Sequence, residues 1–190
     1  ANRWNIWSNA KHPDGSFKPM KDRDPGQVVY YKNVDFPLDN AITEGTNKFM
    51  GEWDQSFRST IAARKSLNGT PVTADEVSSV FIALDNDCSI DNANTVAQNG
   101  GYTDVLLNYG IDTVTMGNLK RACSVLEWAS NGDFTWQKDG DLRHSFLKWV
   151  DTPMLSGPLG YGPSAADPIT GELISANANI YGASVDRLSA

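Results

Sequence analysis

From Asp39 onward, the apolar positions Ile42, Phe49, Met50, Trp53, Phe57 and Ile61 recur at helical spacing, which predicts one long helix with a single face turned toward a sheet. Asp39 stands where an N-cap belongs, and Asn68-Gly69 ends the pattern. Burying those side chains would contribute roughly 1.5–3 kcal/mol each before conformational entropy is subtracted, so this helix is expected to be the main packing element. Ahead of it, Val28-Val29-Tyr30-Tyr31 lies between Pro25-Gly26 and Asn33 and predicts a buried strand, followed by a turn at Asp35-Phe36-Pro37-Leu38-Asp39. Behind it, Val80-Phe81-Ile82-Ala83-Leu84 is apolar throughout, the pattern of a strand covered on both faces. Strand, helix, strand implies a right-handed crossover and parallel pairing.

The flanking segments read differently. Residues Ala1 to Gln27 hold three Pro, two Gly and mixed charge without a period, which predicts an extended arm anchored by Trp4 and Trp7. Between about 85 and 140 the signal weakens: a polar loop through Gly101, a helix from Gly117 or Asn118 to Ala129, and a short strand at Phe134-Thr135-Trp136-Gln137 before the turn Lys138-Asp139-Gly140-Asp141. We read this stretch as a partly helical insertion in a single α/β domain over 28–190. His144 to Val150 predicts a strand, Pro153 to Pro158 a loop, and Tyr161 to Ala166 a strand that contains Pro163. Proline cannot donate to a ladder, so that strand is expected at a sheet edge. Asp167-Pro168-Ile169-Thr170-Gly171 is a turn signal, and Glu172 to Ile180 returns as the last strand.

Composition narrows the function classes. At 190 residues, with 40% hydrophobic content and a formal charge of −7, the chain can bury one good core and carries no clustered Lys and Arg for a polyanion. Nucleic acid is therefore not an expected partner. No apolar run approaches the roughly 20 residues that span a bilayer. The first residues lack the pattern of a secretion signal, so the chain is expected to be soluble and either mature or excised. Cys88 and Cys123 are its only cysteines and sit in no zinc-type spacing. A disulfide between them is favoured by an Asn-, Ser-, Gly- and Trp-rich composition typical of exported proteins; two buried free thiols are the alternative.

Candidate chemistry is sparse. His12 and His144 are the only histidines, and neither belongs to an H-E-x-x-H motif or its inverse. Asp85-Asn86-Asp87-Cys88-Ser89-Ile90-Asp91 begins like a calcium loop but has Ile90 where a glycine should turn and Val96 where a bidentate glutamate should sit, so capping is the better reading. Glu52 and Asp54 share the long helix at a spacing that places them on different faces, and read as solvated surface charge. Gly157-Pro158-Leu159-Gly160-Tyr161-Gly162-Pro163 is glycine-rich without the Lys-Ser/Thr of a phosphate loop, no G-x-S-x-G elbow occurs, and Asn68-Gly69-Thr70 fits a glycosylation triplet.

Several ordered landmarks carry a resemblance: Val28-Val29-Tyr30-Tyr31, Asp35-Phe36-Pro37, Trp53-x-x-x-Phe57, Phe146-Leu147-Lys148-Trp149-Val150, and Tyr161-Gly162-Pro163-Ser164-Ala165-Ala166-Asp167-Pro168 with Thr170-Gly171-Glu172. Together they resemble the upper, N-terminal subdomain of metzincin-type zinc peptidases and the large secreted bacterial peptidases related to them. The resemblance implies a twisted, mostly parallel sheet with an antiparallel edge strand that pairs with an extended peptide above a catalytic zinc. Carried over, the edge is Gly160, Tyr161, Gly162, Ser164, Ala165 and Ala166. No cofactor is expected in this chain itself, since zinc would require a further C-terminal segment bearing the absent motif. The expected partners are the remainder of such a peptidase domain or another protein chain, in a secreted, periplasmic or cell-surface location. The alternative is a non-enzymatic exported binding or assembly module.

Overall fold

A computed structural model describes residues 2–67, 69–152, 158–183 and 185. The chain is α/β, with a mixed sheet of mostly parallel strands, an antiparallel edge pair, one long helix and several shorter ones. The strands are β1 (Val28–Lys32), β2 (Phe81–Leu84), β3 (Ser145–Val150), β4 (Gly160–Tyr161), β5 (Ser164–Ala166) and β6 (Leu173–Tyr181). Their order is β2-β1-β3-β6-β4, and β5 also pairs with β6. Residues 153–157 of the expected loop, Asn68 of the glycosylation triplet and the chain end at Ala190 lie outside the described residues. By contacts, the described chain divides into two compact units: one within Ala1–Tyr30, Pro37–Leu84 and Gly162–Asn177, the other within Tyr31–Phe36, Asp85–Tyr161 and Ala178–Ala190.

In the first unit the long helix, α1 (Asn40–Ser66), starts where the pattern placed it: the Asp39 carboxylate accepts from the Ala41 and Ile42 amides at 2.9 and 3.3 Å. Its buried stripe differs from the expected one. Thr46, Met50, Asp54, Ile61 and Ala62 point inward, whereas Trp53 is 55% exposed. Asp54 is the cause and also corrects the surface-charge reading. It is buried, and its Oδ1 accepts from the Val80 and Phe81 amides at 2.7 and 2.9 Å, satisfying two donors where β2 begins. Arg58, one turn along, donates through Nε to the carbonyls of Ala74 and Val77. Strand β2 lies at the end of the sheet order and is half-buried rather than covered on both faces, with Leu84 41% exposed. The Phe57 and Phe81 rings stack at 5.6 Å and shield its start.

Residues 6–26 fold back on themselves. The Ser8 amide donates to the Asp24 carbonyl, Gly26 to Ile6, Lys18 to Ala10 and His12 to Ser16, and Gly15 takes a φ of 87° at the tip. Ile6 and Trp7 pack on the cluster of Ile61, Ala62, Val77 and Val80, while Trp4 meets Tyr30 edge-on at 6.2 Å. These contacts leave Trp4 and Trp7 half-buried, while Phe17 stays 67% exposed.

The second unit holds α2 (Ile90–Asn99), α3 (Thr103–Asn108) and α4 (Leu119–Ala129). The helix expected at 118–129 is present, but the expected polar loop through Gly101 contains α2. Ser89 caps α2 by accepting from the Asn92 amide at 3.2 Å, and the buried positions are Ala93 and Ala97. Alanine is the strongest helix former and a weak apolar marker, so the segment hides from a hydrophobic pattern. Cys88 and Cys123 are joined by a disulfide. The bridge lies inside a core with Ala93, Leu106, Leu119, Ala122 and Leu126, tying the chain that enters α2 to α4.

Phe134–Gln137 is not a strand; side chains satisfy it instead. Buried Asn86 donates to the Gln137 carbonyl at 2.9 Å and accepts from the Cys88 amide at 2.9 Å. Gln137 accepts from the Asp87 amide at 2.9 Å and donates to the Asp87 carboxylate at 2.7 Å. Every member of this small network is paired, the condition under which a buried polar cluster rigidifies rather than weakens a core. A second device ties Asn33 to β3: the buried Asn33 side chain accepts from the Trp149 amide at 2.9 Å while the Asn33 amide donates to the Leu147 carbonyl at 3.0 Å.

Candidate functional site

The single edge strand expected over Tyr161–Ala166 is two short segments, β4 and β5, broken at Gly162-Pro163. Proline's missing donor explains the break, and both segments pair antiparallel with β6. In the second unit, Gly160 lies opposite Ile180 and Tyr161 opposite Asn179, and the Tyr181 amide donates to the Leu159 carbonyl at 3.0 Å. Both β4 residues are exposed, with Tyr161 at 61%.

In the first unit, the Asn177 amide donates to the Pro163 carbonyl at 2.8 Å, so the residue that breaks the strand still contributes an acceptor. Ser164 then lies opposite Ala176, Ala165 opposite Ser175 and Ala166 opposite Leu173, with a bulge between Ala165 and Ala166. Among the described residues no strand other than β6 pairs with β5. Ser164 is exposed, Ala165 and Ala166 are half-buried, and Gly162 is exposed. The β6 residues opposite these segments carry no chemical signature in the sequence; only register identifies them.

Asp167 sets the return. Its Oδ1 accepts from the Ile169 and Thr170 amides at 2.8 and 2.7 Å and from the Thr170 hydroxyl at 3.1 Å. Foremost the Thr170 amide, then that of Ile169, holds the Asp167 carboxyl below its ordinary range. Gly171, at a φ of 71°, closes the turn by donating to the Asp167 carbonyl at 2.8 Å. This bears out the turn read from Asp-Pro-Ile-Thr-Gly.

The small residues are there for space. A Cβ on Gly160 would stand 2.9 Å from the Asn179 carbonyl oxygen, a backbone atom with no freedom to swing away, whereas one on Gly162 would meet the Asn177 oxygen at an ordinary 3.6 Å. Gly160→Ala is therefore expected to lift β4 off β6 and Gly162→Ala to leave pairing intact. Amide hydrogen exchange on Tyr161 and Tyr181 reads this: acceleration of about tenfold or more in Gly160→Ala, corresponding to about 1.4 kcal/mol or more, and none in Gly162→Ala. Equal behaviour of the two variants would refute the steric account.

The remaining candidates make contacts of their own. His12 is exposed in the arm's turn. The His144 ring meets Tyr31 edge-on at 5.2 Å and lies 4.0 Å from the Asp141 carboxylate. Hydrogen bonding from Arg143 is the main reason the Asp141 carboxyl sits well below its ordinary range. In the calcium-like stretch, Asp85 pairs with Lys32 at 2.9 Å, while Asn86 and Asp87 serve the Gln137 network. Glu52 is exposed, as expected. Among the described residues no group of three His, Cys, Asp or Glu is placed to hold a metal ion. No described helix is long and apolar enough to cross a membrane.

Comparison with family models, with curated proteins and with solved structures finds no match to this chain.

Proposed function

We propose that this chain acts as the upper subdomain of a secreted bacterial, metzincin-like zinc peptidase, supplying the scaffold and a peptide-pairing edge while other residues supply the metal. The observation that carries this reading is the antiparallel segment β5, which has no strand neighbour but β6 among the described residues. An extended peptide added to such an edge gains main-chain hydrogen bonds along its length, and specificity then comes from pockets for alternate side chains. The residues assigned to the edge favour close approach: Gly160, Gly162, Ser164, Ala165 and Ala166 are small, and only Tyr161 projects a large side chain.

The zinc ligands and the general base would come from a further segment or a partner chain, so this chain alone would bind peptide without cleaving it. The Cys88–Cys123 bridge is in keeping with a secreted, periplasmic or cell-surface setting. Incubating the purified chain with zinc and an unstructured peptide tests the division of labour. The expected outcome is no hydrolysis and no zinc retained after dialysis; stoichiometric zinc with turnover would refute it.

A second reading, an exported assembly module, is supported by the apolar strand β2 at the other end of the sheet order. Sedimentation would favour it by showing concentration-dependent self-association of the chain alone.

A further inference from the structure

We propose that the second unit carries a separate binding notch for the C-terminal residue of a peptide, one with an apolar side chain and a free carboxylate. The notch, of about 260 Å³, is lined by Tyr109, Arg121, Ser124, Val125 and Trp128. That is below the roughly 300–1,000 Å³ of sites for drug-sized ligands, a size suited to a single ring or side chain.

Its walls are aromatic and exposed in spite of their size: Trp128 is 69% and Tyr109 43% accessible, and the two rings meet edge-on at 6.2 Å. Buried Val125 belongs to the apolar part of the lining. Tyr109 is held in place by the end of α3, where its amide donates to the Val105 and Leu106 carbonyls, Gly110 turns at a φ of 72°, and buried Ile111 donates back to Leu106 at 2.9 Å. Arg121, Ser124 and Trp128 fall at i, i+3 and i+7 along α4, one stripe of its outer face.

Charge decides the occupant. Arg121 Nη2 donates to the Tyr109 carbonyl at 2.7 Å, and among the described residues no carboxylate pairs with this guanidinium. Glu127, on the same helix, is engaged by Lys138 at 2.6 Å. In a chain of net charge −7, an arginine beside an aromatic notch without an acidic partner has its remaining donors available to a carboxylate. An apolar side chain against Trp128 and Tyr109, with its α-carboxylate on Arg121, satisfies both halves of the notch.

The test is a nitrogen-15 NMR titration of the full chain with N-acetyl-glycyl-phenylalanine, with its C-terminal amide, and with glucuronate. The free acid is expected to shift the Trp128 indole resonance with a Kd of about 1 mM and the amide to bind about tenfold or more weakly. Arg121→Gln should remove that preference, and Trp128→Ala should weaken acid and amide alike; both positions are exposed, so the rest of the spectrum reports that the fold is kept. Equal binding of acid and amide, no shift at about 10 mM acid, or tighter binding of glucuronate than of the peptide acid would each overturn the proposal.

Discussion

Replacing Cys88 and Cys123 together by alanine will lower the unfolding free energy by about 3–4 kcal/mol. The bridge spans 35 residues, so opening it returns substantial loop entropy to the unfolded chain. It also sits at 2% and 0% exposure among alanines and leucines that interlock α2, α3 and α4. Urea unfolding followed by circular dichroism, with the wild type oxidised and reduced, measures the loss. A shift within about 0.5 kcal/mol would mean that helix packing alone determines this unit's stability.

Asp54→Ala will destabilise the first unit by about 2–4 kcal/mol, because the Val80 and Phe81 amides lose the acceptor that Asp54 provides at 2.7 and 2.9 Å. Val80 is fully buried, so water cannot readily replace the lost partner. Asp54→Asn retains an oxygen in the same place and is expected to lose about 1 kcal/mol. Hydrogen exchange localises the effect: the Val80 and Phe81 amides should exchange faster in the alanine variant while those of the α2 core keep their protection. A solvated carboxylate would give a change within about 0.5 kcal/mol and no local signature.

Asp54 marks the limit of what patterning can read. A helix face was legible from six apolar positions, and its start from the Asp39 cap, because both signals are local. Which way the helix turns was not, since the pull on it comes from two amides far along the chain. The Asp167 turn was legible for the same reason as the cap: the groups that satisfy the carboxylate lie within three residues of it. Helix α2 was illegible because its buried face is alanine among Asn, Thr and Gln. The edge was legible in place but not in form, since proline marks an edge without saying that the strand is interrupted there. The Tyr109–Trp128 notch left no trace at all, because it depends on the end of one helix standing over the outer face of another.

These distinctions bear on function. What the proposed edge would contribute to recognition is backbone geometry with small side chains, and geometry of that kind implies a partner chain more directly than it implies a reaction. The proposed division of labour, a peptide-pairing scaffold here and a metal-holding segment elsewhere, is tested most directly by reading the coding sequence beyond Ala190. An H-E-x-x-H motif soon downstream in the same frame is the predicted result. An open reading frame that continues well past this point with no such motif, or a stop codon with no neighbouring gene encoding one, would contradict the account.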